Sequence, residues 1–155
     1  MKPSSQAEQI LGQIDHDNVK LGDLRTIAKA IKKDHTLALE LWASGQFFPR
    51  QLSILLMDPK LLTQEVINKL IDDIEKHPED QKLQLIDWLL ANQFSKDKKT
   101  IVLMQNWREN KSSLLRRTFW YHQGRLRWVG QTPPGNTEEL LQGIEQGIET
   151  EAPEV

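Results

Sequence analysis

Asn110–Val129, NKSSLLRRTFWYHQGRLRWV, is the stretch on which the reading of the fold turns. It carries no proline, and none follows until Pro133. Asn110 is a suitable N-cap, so the spacing predicts one long helix over 110–129. At about 100° per residue, Leu115, Thr118, Phe119, His122, Leu126 and Val129 share one side, which is read as the core stripe. A second arc carries Arg116, Trp120 and Arg127 almost in line. Beside them run Arg117, Tyr121, Gly124 and Trp128. Cations interleaved with aromatic rings suit a surface that binds phosphates and bases. The same pattern also fits an all-helical protein whose tryptophans are core and whose arginines edge that core.

Charge along the chain sharpens the first reading. The 155 residues have a formal net charge of -2, yet the charges are segregated. From Lys96 to Arg127, nine cations face two carboxylates, Asp97 and Glu109. From Glu138 onward there are six glutamates and no cation. A basic segment followed by an acidic one suggests a polyanion site beside a tail that stays clear of it. The chain has no cysteine, which excludes disulfides and thiolate metal sites and fits a reducing compartment. No apolar run is long enough to span a membrane, and MKPSSQAEQIL lacks a secretory core. These features predict an intracellular, cytoplasmic, monomeric protein that needs no cofactor and no metal.

Strand signals are nearly absent, and helix breaks recur at short intervals. Helices are expected over 4–14, 21–33, 37–43 with Asp34 as cap, and from Pro49 to Met57. Thr63 caps a fifth helix. Pro78 starts a sixth that reaches Phe94, and Ser95 caps a seventh over 96–107. Asn136 and Glu139 form a capping box for a last helix ending near Ile148. Residues 1–148 are read as one domain, with an acidic, frayed tail over 149–155. Helix pairs of this length match HEAT-type units, so the fold class is all-α, a HEAT-like α-α superhelix of antiparallel helix pairs. A compact helical bundle is the alternative.

Asp87 interrupts an apolar line formed by Leu83, Leu90, Ala91 and Phe94. A carboxylate there costs free energy unless paired or protonated. It serves either as a structural hydrogen-bond acceptor or as a charge held against a cationic reacting group. His16, His35, His77 and His122 are scattered and show no metal-ligand spacing.

Four stretches carry a family resemblance: IAKAIKKDHTLALELWASG (Ile27–Gly45), MDPKLLTQEVINKLIDDIE (Met57–Glu75), LIDWLLANQFSKD (Leu85–Asp97) and WRENKSSLLRRTFWYHQGRLRW (Trp107–Trp128). Together they resemble the AlkD-like DNA alkylation repair proteins, DNA glycosylases built from HEAT-like repeats, over about Leu21–Gly130. The resemblance implies binding of duplex DNA in a concave groove and excision of cationic alkylated purines such as N3-methyladenine and N7-methylguanine. It identifies Asp87 as the catalytic carboxylate, because Asp-x-x-x-x-Asn-x-Phe is reproduced by Asp87, Asn92 and Phe94. It identifies Arg117 as the backbone-binding arginine. Arg116, Arg125 and Arg127 join it at phosphates, Trp120 and Tyr121 at the sugar-base edge, and Lys99 on the basic rim. The sequence departs from the family at Leu83, where a tryptophan often stands. A second aromatic of the family's site belongs to a later repeat, so the chain is expected to be a fragment or a shortened solenoid. A non-catalytic DNA- or protein-binding module of the same fold is the second reading.

Overall fold

Short side chains start the helices where the sequence places them. Asp34 accepts the Leu37 N–H at 3.0 Å and Thr63 accepts that of Val66 at 3.3 Å. Each supplies an acceptor for an N–H that the first turn leaves open. The computed structural model describes residues 2–14, 18–128 and 134–155, which exclude His16 and Val129. Among these residues there are helices and no strands. They are α1 (Ser5–Ile14), α2 (Leu21–Ile31), α3 (His35–Trp42), α4 (Phe47–Leu56), α5 (Gln64–Ile74), α6 (Glu79–Asn92), α7 (Lys98–Met104), α8 (Ser113–Trp128) and α9 (Thr137–Gly147). Among the described residues, no helix is long and apolar enough to cross a membrane.

Three expected caps are replaced by nearby or distant competitors. Ser112, not Asn110, stands before α8: its Oγ accepts the Leu115 N–H at 3.4 Å and its carbonyl that of Arg116. Asn110 instead accepts the Ser112 N–H and makes the preceding turn. Asp97 supersedes Ser95, accepting the Thr100 N–H at 3.1 Å. The Asn136–Glu139 box does not form. Asn136 Oδ1 accepts from Arg127, and Glu139 pairs with Arg108 at 3.0 Å. Tertiary arginines outcompete the local cap.

The chain divides into two compact units, Met1–Ile101 and Val102–Val155, where the sequence reading has one domain. In the first, α4 is central: it packs on α1, α2, α3 and α6, and α5 packs on α6. Leu52, Ile54 and Leu56 are fully buried, and the polar Arg50, Gln51 and Ser53 are buried beside them. A buried polar side chain is tolerated where it is hydrogen-bonded. Ser53 Oγ donates to the Ala38 carbonyl at 2.6 Å. Gln93, at the end of α6, donates to the Ile54 and Met57 carbonyls and so finishes α4.

Arg50 closes helix ends on the other side. Its Nε donates to the Trp42 carbonyl at 3.2 Å, and Nη1 to the Asp73 carbonyl at 3.0 Å. The guanidinium also lies 4.9 Å from the Trp42 ring centre. Nη1 reaches His77 Nε2 at 2.7 Å. A guanidinium only donates, so the His77 proton must sit on Nδ1, which then donates to Gln81 Oε1 at 2.9 Å. Trp42 Nε1 donates to Asp73 Oδ2 at 2.9 Å. Burial works to raise the Asp73 carboxyl, but hydrogen bonds from Lys76 and Trp42 and the Arg50 charge leave it below the usual range.

Replacing this guanidinium should be costly. Arg50→Met strips donors from two helix-end carbonyls and from His77. Urea unfolding should show a loss of about 2 to 4 kcal/mol. A loss under about 1 kcal/mol would mean that water replaces the guanidinium without penalty.

Candidate nucleic-acid interface

Within Val102–Val155, α8 presents its faces differently from the expectation of one continuous basic arc. Leu115, Thr118, Phe119 and His122 of the expected core stripe are buried and Leu126 is half-buried; Leu114, outside that stripe, is buried as well. Thr118 turns its hydroxyl back to the Leu114 carbonyl at 2.8 Å, so its methyl packs inward without an unsatisfied oxygen.

The arc through Arg116, Trp120 and Arg127 is occupied by later parts of the chain. Arg116 makes a two-pronged pair with Glu151, Nε to Oε2 at 2.8 Å and Nη2 to Oε1 at 2.7 Å. Its Nη1 donates to the Asn110 carbonyl at 2.7 Å. Parallel charge-assisted bonds of this kind are among the strongest polar contacts in proteins. The hydrogen bonds from Arg116 hold the Glu151 carboxyl below its usual range, and Glu151 raises the Arg116 guanidinium in return. Trp120 lies under Arg108, with the guanidinium 5.5 Å from its ring centre. Arg127 donates to Gln123, Thr137 and Asn136. A cavity of about 690 Å³ is lined by Trp120, Arg127, Leu140, Ile144 and Ile148, among others.

The neighbouring arc is the accessible one. Tyr121 is 36% exposed and Trp128 73% exposed, and their rings meet edge-on at 6.3 Å. Arg117 stacks over Tyr121 at 5.8 Å, and its Nη1 donates to the Glu154 carbonyl at 2.7 Å. Arg125 is half-buried on the same helix. Of the residues expected at DNA, Arg117 and Tyr121 are therefore brought together. Arg116, Arg117, Trp120 and Arg127 are all engaged by other parts of the chain. Trp128, which the sequence places on this arc without a role, is its most exposed ring.

The residues expected to form a frayed tail are instead bound to α8. Besides Glu151 on Arg116, Glu154 Oε1 accepts from Ser113 Oγ at 2.7 Å. The acidic segment does not stay clear of the basic helix; it lies on it.

Asp87 and Lys99 belong to the Met1–Ile101 unit. Lys99 is exposed in the first turn of α7. Asp87 is half-buried on α6, at the edge of an apolar face formed by Leu85, Ile86, Leu89 and Leu90. It is thus less enclosed than an apolar stripe would make it. The other parts of its motif are structural: Asn92 donates to the Trp88 carbonyl at 2.8 Å, and Phe94 is fully buried. Next to Asp87, Trp88 donates from Nε1 to the Gln51 carbonyl at 3.0 Å, and Arg25 of α2 stacks on its ring at 5.1 Å. Arg25 carried no signal in the sequence, because a lone exposed arginine on α2 resembles any solvated cation.

Comparison with known proteins places the chain. Residues 13–153 match the DNA alkylation repair enzyme family. The chain belongs to this family. No curated protein and no solved structure matches it. Membership makes DNA repair its role and DNA its expected partner.

His122 provides a test of this unit. Burial, joined by the nearby Arg125 charge, holds its imidazole below the ordinary value of 6.5. The unfolded chain therefore binds a proton that the folded one refuses, and stability is lost as pH falls below about 6.5. His122→Leu should make the acid side of the stability profile shallower. An NMR titration of His122 with a midpoint at or above 6.5 would contradict this.

Proposed function

We propose that the chain is an alkylpurine DNA glycosylase-type protein of HEAT-like repeats, which binds duplex DNA and releases cationic alkylated purines. Membership of the alkylation repair family over nearly the whole chain is the observation that carries this reading. The Arg117–Tyr121–Trp128 arc supports it as a phosphate and base contact, with Arg125 beside it. Lys99 adds a cation on α7. Arg116, Arg117, Trp120 and Arg127 enter the DNA site only when their present partners give way.

The chemistry asked of the protein is modest. In N3-methyladenine or N7-methylguanine the purine already carries positive charge. When the bond to C1′ breaks, its electron pair goes to the purine, which leaves neutral. Positive charge builds on the sugar, and water then adds to C1′ and gives up a proton. Asp87 is assigned to stabilise the sugar charge or to orient that water. In this reading the protein is a cytoplasmic monomer.

Leu83 favours a second reading. The tryptophan that the family often has one turn before the catalytic carboxylate is replaced by leucine, so the site departs from the family's pattern beside Asp87. The chain would then recognise DNA without cutting the glycosidic bond. Release of free 7-methylguanine from alkylated DNA separates the two readings. Under the first, Asp87→Asn should lower release by about a hundredfold with little change in DNA affinity. Release at the parent rate would leave Asp87 a structural residue.

Arg117→Ala should weaken duplex binding and reduce the slope of log affinity against log salt by about one. Binding unchanged across salt would remove Arg117 from the interface.

A further inference from the structure

The carboxylates that sit on α8 use the same chemistry as the phosphates assigned to it. Glu151 meets Arg116 through two parallel bonds, the fork geometry that guanidinium offers to carboxylate and phosphate alike. Arg117 gives a donor to the Glu154 carbonyl, and Ser113, in the first turn of α8, gives its hydroxyl to the Glu154 carboxylate. A helix N-terminus with a serine and two arginines is an anion site, and here the anion comes from the chain itself.

The polar contacts of this segment are made by Glu151 and Glu154, while Ala152, Pro153 and Val155 line the cavity beside Trp120 and Leu140. Glu151, Ala152, Glu154 and Val155 are only half-buried, and Glu149, Thr150 and Pro153 are exposed. A clasp whose specific contacts are one partly exposed ion pair and hydrogen bonds from Ser113 and Arg117 is weakened by salt and competes with other anions. An apolar clasp would do neither.

We infer that residues 149–155 act as an intramolecular stand-in for the DNA backbone, occupying Ser113, Arg116 and Arg117 until a duplex displaces them. The device rests on the reading of α8 as a DNA-binding helix, and it deepens that reading by giving the site a built-in competitor. Duplex binding then requires exchange of one polyanion for another. The segment also discriminates: a weak, isolated anion does not displace a tethered two-pronged carboxylate, whereas a continuous row of phosphates does.

The test compares binding of a short unmodified duplex by fluorescence anisotropy at low and moderate salt. Glu151→Gln with Glu154→Gln keeps shape and removes charge. This double variant should bind about tenfold tighter at low salt, the gain expected from freeing one charge-assisted pair. Its salt slope should steepen by about one, as one more guanidinium reaches phosphate. Unchanged or weaker binding, while Arg117→Ala still loses affinity, would overturn the competitor and leave the DNA site standing. If the parent and every variant ignore the duplex, both fall together.

A tether guards against misfolding of the double variant. The natural chain has no cysteine, so Ser113→Cys with Glu154→Cys gives a protein with two thiols. Bridged by a short bifunctional maleimide, it should bind the duplex several-fold more weakly than its unbridged form. Equal affinity of the two forms would overturn the inference.

Discussion

A helix buried on nearly every side has to dispose of its polar atoms, and α4 is under that constraint. Its apolar residues alone would make it a greasy rod that fits many registers. Arg50, Ser53 and the partner residue Gln93 remove that freedom, since each bonds a particular carbonyl on a particular neighbour. The end of α3, the end of α5 and the start of α6 converge on one guanidinium. Helix packing in Met1–Ile101 is therefore specified by hydrogen bonds that hydrophobic burial makes obligatory.

Val102–Val155 solves a different problem with similar groups. A unit this short buries little apolar area, and it leaves Leu141, Ile144 and Ile148 largely exposed. Guanidinium groups on and before α8 compensate by gathering α9 and the acidic segment: Arg108 with Glu139, Arg116 with Glu151, Arg127 with Asn136 and Thr137. The same cations are the ones that mark the chain as a candidate partner of DNA. Stability in this unit and the proposed recognition of DNA would draw on one set of side chains.

Helix content was legible because its determinants are local. Asp34 and Thr63 cap from their own sequence neighbourhood, and the spacing of Ile67, Leu70, Ile71 and Ile74 points one way whatever lies opposite. The misplaced caps show the limit. Ser112 and Asp97 lie two residues from the expected Asn110 and Ser95, and local rules do not rank such close rivals. Asn136 and Glu139 satisfied the pattern of a box yet were claimed by arginines distant in sequence. The fate of the acidic residues was illegible for a like reason: composition predicts fraying when charges lack partners, and the partner of Glu151 lies 35 positions away. Asp87 stood out through its motif as a candidate, and the stacking of Arg25 on Trp88 beside it did not, since cation-aromatic pairs between helices leave no spacing signature.

Gly143 gives one more reading of how α9 is held. A methyl group at this position would have to displace the Arg108 guanidinium, which is stacked on the Trp120 ring and paired with Glu139. The missing side chain thus leaves a notch on α9, and a flat cation is seated in it, touching a ring on one helix and a carboxylate on the next.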